Sequence, residues 1–340
     1  MARTWQLAQH TQTVSVSRLS LPVAVVLCFL ALAAVPAAST SAWSVAAETP
    51  PQPVAFSLDR SDVKTGAQVT GVVTTAAEDE ERVVRVERAM PEGWVLVRNA
   101  ALPAAATEVR VPMPTGYYSQ YSYRVSTTSK HTTVTSPEQT LSVRPSYVPA
   151  GRPSHVATPV GEQRWDPCAG PIRYVVNSAQ AWPRALAETR VALRRITQAT
   201  GLRFVPVGST RMVPKGQPTQ RLPHEADLVI AWLRPNQTPL LTRGTVGQAR
   251  YFTDAEGRIT SAQVAFNRNG HAGLKPGFGA APRRGTLLMH ELTHAMGLGH
   301  VNKRSQVMYP NVAAVASRFG AGDLAGLARV GAQQGCQFTA

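Results

Sequence analysis

The sequence predicts an all-β sandwich followed by an α+β region, and three observations lead there. Between about Pro53 and Val143, short alternating segments separated by turn residues show no long helical period. A proline-rich stretch follows at 146–159. Beyond Gly170, strand-like runs alternate with long amphipathic helical runs. The 340 residues suffice for two ordinary cores, and a hydrophobic content of 44% with mixed charges argues for globular folding.

In chain order, residues 1–47 read as an export signal. Arg3 and Arg18 lead an uncharged run, Leu21 to Ala38, and small residues follow with A-x-A-like sites at Thr40-Ser41-Ala42 and Val45-Ala46-Ala47. The mature protein is therefore expected outside the cytoplasm, secreted or at the cell surface. The alternative keeps the segment as an uncleaved membrane anchor. Cys28 lies within the apolar run and does not fit a lipidation site.

Residues 50–145 contain VAFSL, QVTGVVT, RVVRVE, WVLVR, EVRVPM, YSQYSYRVST and TLSV as strand candidates. In YSQYSYRV, Ser119, Tyr121, Tyr123 and Val125 share one face, as a half-buried strand requires. The pattern resembles a small immunoglobulin-like or fibronectin-like module, which implies a binding or targeting module, or else a spacer. Residues 146–159 read as an extended linker, with four prolines in VRPSYVPAGRPSHVATP.

Residues 160–340 change character. GPIRYVVN is a strand candidate, and Pro183 to Thr200 forms an amphipathic helix through Leu186, Val191, Leu193 and Ile196, stopped by Gly201. LRFVPV follows as a strand, and ADLVIAWL is a nearly continuous apolar run suited to a central one. GTVGQARYFT and RITSAQVAFN flank DAEG and predict a hairpin. A second long helix holds MHELTHAMG, with Thr286 as cap candidate and Gly297 as stop.

MHELTHAMGLGH carries three of the eight histidines. His290 and His294, four residues apart, project from one helix face a turn apart, so both imidazoles can meet one ion. Glu291 is rotated about 100 degrees from His290 and can stand beside that ion without ligating it. A continued helix would carry His300 about 9 Å onward and away from the pair. A left-handed glycine at 297 lets the chain turn back and offer a third nitrogen. In random shuffles of this composition HExxH alone would arise about once in a hundred, and with Gly297 and His300 about once in 100,000. Zinc suits three imidazoles with a fourth position left for water, whose pKa falls to about 7 when bound, with Glu291 as general base. Further Ca2+ or Zn2+ ions are left open.

HELTHAMGLGH fits HExxHxxGxxH, and SQVMYP downstream looks like a Met-turn, so this region resembles the metzincin zinc peptidases, closest to the matrixin branch. The resemblance implies His290, His294 and His300 as zinc ligands, Glu291 as general base and Met308 as the hydrophobic floor. Zinc-dependent endopeptidase activity on extended protein or peptide substrates is the implied function. It also implies a C-terminal helix, for which GDLAGLARVG with Asp323 as cap candidate is suitable, and an antiparallel edge strand for substrate, for which RITSAQVAFN is the positional match. Val301 departs from the serine usual in matrixins, and Tyr309 is not assigned as a ligand. His271 and His224 are read as exposed loop histidines, with a second ion as the sharper alternative for His271.

Without the export segment two cysteines remain. Cys168 and Cys336 are expected to form a disulfide, the alternative being a zinc-blocking role for Cys168. The net charge of +15 is spread along the chain, which suits solubility and loose attraction to anionic cell-surface polymers. No basic-aromatic motif supports specific nucleic-acid binding, and a monomer is expected. A different class of function, surface adhesion or polymer binding with an idle peptidase, would rest on the sandwich and the basic surface alone.

Overall fold

The computed structural model describes residues 53–129, 132–153, 163–242 and 244–337. The export segment, Cys28 and residues 154–159 of the proline-rich stretch lie outside them. Among the described residues, no helix is long and apolar enough to cross a membrane.

The first part is built from β1 (Ala55–Leu58), β2 (Asp62–Lys64), β3 (Thr70–Thr74), β4 (Arg82–Met90), β5 (Gly93–Leu102), β6 (Glu108–Pro112), β7 (Ser119–Ser129), β8 (Thr132–Thr135) and β9 (Gln139–Arg144). One sheet runs β1-β3-β6 and the other β2-β9-β7-β4-β5, with β8 added to β7. Alternation does the folding work. Val84 and Val86 point inward while Val83 and Arg85 face out, and Tyr121, Tyr123 and Val125 of β7 are buried as their period requires. Both sheets feed one core that includes Val73, Val111 and Leu141. β2 and β8 escape sequence patterning because one has three residues and the other, TTVT, buries none.

The second part is mixed α+β. Its strands are β10 (Ile172–Asn177), β11 (Phe204–Ser209), β12 (Leu228–Leu233), β13 (Gly247–Thr253) and β14 (Ile259–Asn267). Its helices are α1 (Ala185–Thr200), α2 (Arg284–His294) and α3 (Ala321–Val330). The sheet order is β11-β10-β12-β14-β13, parallel except for β13 against β14. All six residues of β12 are buried because both faces are covered. Leu228, Ile230 and Trp232 join the core containing the helices, whereas Ala231 and Leu233 pack with Leu240 and Leu241 beneath.

α1 buries Ala192, Leu193 and Ile196 and ends at Gly201 with φ 75. Leu186, predicted to belong to its apolar face, is instead exposed. The chain enters through Arg184 at φ 69, so the helix starts later than Pro183 and its first turn presents Ala185, not Leu186, to the core.

The hairpin forms, but the edge strand is not RITSAQVAFN, as expected, but its other arm. RITSAQVAFN becomes β14, paired on both sides and largely buried, and GQARYFT becomes the antiparallel edge strand β13. The physical reason is burial: β14 is apolar enough to sit beside β12, while β13 carries Gln248 and Arg250 outward.

Pro50–Ala340 forms one compact unit. Within it Tyr118 N–H donates to Gln198 O at the end of α1, and Gln333 Nε2 donates to Tyr118 O. The proline-rich stretch, expected as an extended linker, is tied down where it is described: Tyr147 Oη donates to Phe319 O, and Ala321 N–H to Ala150 O.

Cys168 and Cys336 form a disulfide across a sequence separation of 168 residues. A loop of that length restricts the unfolded chain by roughly 4 to 5 kcal/mol before native strain. Replacing both cysteines by serine should therefore lower stability by about 2–4 kcal/mol, read from urea unfolding. An unchanged midpoint would mean that the last residues are held by other contacts.

Candidate metal centre

α2 buries Leu287, Leu288, Met289 and Leu292, which fixes its rotation and therefore the direction of its histidines. Thr286, the expected cap, lies inside the first turn. Its hydroxyl bonds Val315 O at 3.1 Å and Ser317 Oγ at 2.8 Å, and Arg283 in extended conformation precedes the helix instead. The helix stops at His294, and Gly297 adopts φ 102. A Cβ there would also lie 2.9 Å from Gln163 O, so both conformation and space call for glycine. Trp165 Nε1 donates to Ala295 O at 2.9 Å and steadies the reversal.

The reversal brings His300 back to the helix. The three Nε2 atoms lie 3.1 Å (His290 to His300), 3.1 Å (His294 to His290) and 3.0 Å (His294 to His300) apart. His290 Nδ1 donates to Val307 O and His294 Nδ1 to Leu298 O, both at 2.7 Å. Those two rings spend their proton on the carbonyls and turn their Nε2 lone pairs toward one point. Burial, joined by the neighbouring imidazoles, lowers the pKa of His290 to about 3; burial first of all lowers His294 to about 4, and it depresses His300 as well. Neutral imidazoles therefore leave at most one proton, on His300, for three converging nitrogens. A single proton cannot satisfy them, and a cation accepting three lone pairs can, so the donor set fits a metal ion and suits zinc.

Glu291 is buried against the start of β13, where a Cβ on Gly247 would come 2.8 Å from its Oε1. Burial pushes its carboxyl up to about 8. Alongside runs an open cleft of about 470 Å³, lined by Gln248, Ala249, Arg250 and Tyr251 of β13 on one side and His294, Leu298, Gly299 and His300 on the other.

Met308 is fully buried in the helix-containing core. Its turn is held by Asp323, whose carboxylate accepts from Val307 N (2.6 Å), Met308 N (3.3 Å) and Gly320 N (2.9 Å). Asp323 is thus the third residue of α3 rather than its cap, which is Gly320. Burial pushes its pKa up to about 6, against the lowering effect of these three N–H groups. Asp323, Gln306, Thr286 and Trp165 were invisible as supporting residues in the sequence, because each works through a partner distant along the chain.

His271, expected in solvent, is half-buried, its ring 5.5 Å from that of Trp182 and its Nδ1 3.0 Å from Arg268 O. His224 is exposed. Neither joins a metal-type cluster among the described residues. The other such group is Asp166, Cys168 and Cys336, whose sulfurs are committed to the disulfide.

With this geometry in place, residues 225–329 match the family model Peptidase M10, Matrixin. The matched segment begins before β12 and ends within α3, so it contains the three histidines, Glu291, Met308 and Asp323. It is under half of the chain and supports a matrixin-type peptidase domain there; that family implies zinc. No curated protein matches. Similar solved structures include a chain from a structure of T cell activation by the bacterial superantigen toxic shock syndrome toxin-1 (16% identity, 27% of this chain and 99% of that one, TM-score 0.22). Another is the CARDB domain of a Pyrococcus furiosus protein (11% identity, 27% and 93%, TM-score 0.22). A third is the periplasmic chaperone SfaE (11% identity, 35% and 65%, TM-score 0.22). Similarity this low assigns neither fold nor function.

Glu291 gives the metal-free protein a pH signature. Its folded pKa of about 8 lies above the ordinary 4.5, so between those values the folded state keeps a proton that the unfolded chain has released. Its contribution is full below about pH 4.5 and is lost as pH rises through about 8. In chelator, Glu291→Gln should therefore gain thermal stability over the parent as pH is raised through that window, the histidines being common to both. A gap that stays constant would refute the burial argument.

Proposed function

We propose that this chain is an exported zinc-dependent endopeptidase of matrixin type. The carrying observation is the convergence of three neutral Nε2 atoms at 3.0–3.1 Å, with the buried Glu291 next in sequence to the first of them. In this reading His290, His294 and His300 hold the zinc, Glu291 is the general base and Met308 lies beneath the site.

Zinc would supply Lewis acidity there, acidifying a water and polarising the peptide carbonyl. Glu291 takes a proton from the attacking water as its oxygen bonds to the carbonyl carbon. As the carbon–nitrogen bond breaks, Glu291 hands that proton to the leaving amine. The burial that raises its pKa makes it a stronger base, and a neighbouring divalent cation favours its ionised form. His290 and His294 stay oriented throughout because their Nδ1 protons are held by Val307 O and Leu298 O.

The substrate is a protein or peptide segment in extended conformation, added to the outer edge of β13. Among the described residues that strand pairs with β14 alone, and it lines the cleft beside His300. Residues 1–47 would be the cleaved signal, 50–145 an immunoglobulin- or fibronectin-like accessory module, 146–159 the connection and 160–340 the peptidase. Secretion as a monomer and loose attraction to anionic polymers complete the reading.

The purified mature chain should bind about one zinc and cleave a denatured protein. Glu291→Gln should keep the zinc and lose cleavage by about 10²–10⁴-fold, whereas His290→Ala should lose both. Normal cleavage by the Glu291 variant, or by protein stripped of metal, would overturn the assignment.

A further inference from the structure

The ligand His290 is oriented by a hydrogen-bonded series that does not end in the metal region. His290 Nδ1 donates to Val307 O at 2.7 Å. Val307 N in turn donates to Asp323 at 2.6 Å, and Asp323 N donates to Gln306 Oε1 at 2.8 Å. Gln306 Nε2 then reaches Ala150 O at 3.4 Å, and the same carbonyl accepts Ala321 N–H at 2.8 Å. Ala150 belongs to the segment that leaves β9, upstream of the whole α+β region. Nearby, Tyr147 Oη donates to Phe319 O at 3.0 Å, and the Arg318 guanidinium lies 4.7 Å over the Tyr147 ring.

The crossing is tight. Gln306 and Asp323 are fully buried, so neither can exchange its partner for water without moving the backbone. Gly151 has φ 83, and a Cβ there would come 2.6 Å from both Gln306 Nε2 and Ser305 Oγ. Glycine is required at the crossing for conformation and for space alike.

We propose that residues 147–151 are a strap that positions the metal centre. Tyr147 and the Ala150 carbonyl hold the start of α3 and the Gln306 side chain. These fix Asp323, and Asp323 fixes the peptide whose oxygen orients His290. The upstream chain thereby acts as a permanent part of the ligand support. Outer partners of metal-ligating histidines set ring orientation, and their loss typically costs 10–100-fold in metal affinity. This inference rests on the metal-site reading above.

The test uses the full mature chain loaded with zinc, and follows release of the metal to an excess of chromogenic chelator. Gly151→Ala should release zinc at least about tenfold faster than the parent, and Tyr147→Phe should release it faster by a smaller factor. Cobalt-substituted Gly151→Ala should show an altered visible ligand-field spectrum, which a stability loss alone would not produce in folded protein. Gly93→Ala is the control: at φ 121, with no atom within 4 Å of the added Cβ, it strains the two-sheet region without touching the strap. It should retain the parental release rate and spectrum.

Parental release and spectrum in both strap variants would overturn the proposal, as would equal acceleration by Gly93→Ala. If Gly151→Ala does not fold, Tyr147→Phe decides. A parent chain that binds neither zinc nor cobalt would defeat the metal-site reading itself and the strap with it.

Discussion

The hydrogen bond from His290 Nδ1 to Val307 O spans 2.7 Å and joins α2 to a turn that lies 17 residues further along the chain. On one side it selects the tautomer that frees Nε2 for an ion; on the other it fixes the turn containing Met308 beneath α2. If that carbonyl moved, the ring could turn and the nitrogen cluster would open. Much of the surrounding architecture can be understood as holding it still. The apolar face of α2 sets the height of His290, Asp323 gathers the N–H groups of Val307 and Met308, and Gly297 returns His300 to the opposite side.

Burial then gives the cluster its chemistry. Imidazoles removed from water stay neutral, which is the form that binds metal, and the same low dielectric raises the basicity of Glu291. Both effects come from the packing of α2 between the sheet and the turn. His300 is exposed and His294 half-buried, and both line the open cleft along β13. The arrangement is thus closed on the side of the support and open on the side of a ligand.

Legibility in the sequence followed the range of the interaction. ADLVIAWL revealed β12 because two-sided burial leaves a local apolar run, and HELTHAMGLGH revealed the cluster because helix period and a glycine break are local too. The order of β13 and β14 is not legible there, since alternation identifies a strand but not its neighbours. Asp323 fits a helix cap by sequence because an acidic residue near a helix start is common, but its partners Val307 and Met308 lie in a separate turn. The strap was hidden for a stricter reason: its central acceptor is the main-chain oxygen of Ala150, a group every residue carries.

X-ray absorption at the zinc edge, on the mature chain carrying one equivalent of zinc, bears most directly on the central claim. Three imidazole nitrogens are expected at about 2.0–2.1 Å, with the remaining position filled by a light oxygen scatterer. Loss of imidazole scattering in His300→Ala should match one ring. A shell containing sulfur, or one with fewer than three imidazoles in the parent chain, would contradict the convergence on which the functional reading stands.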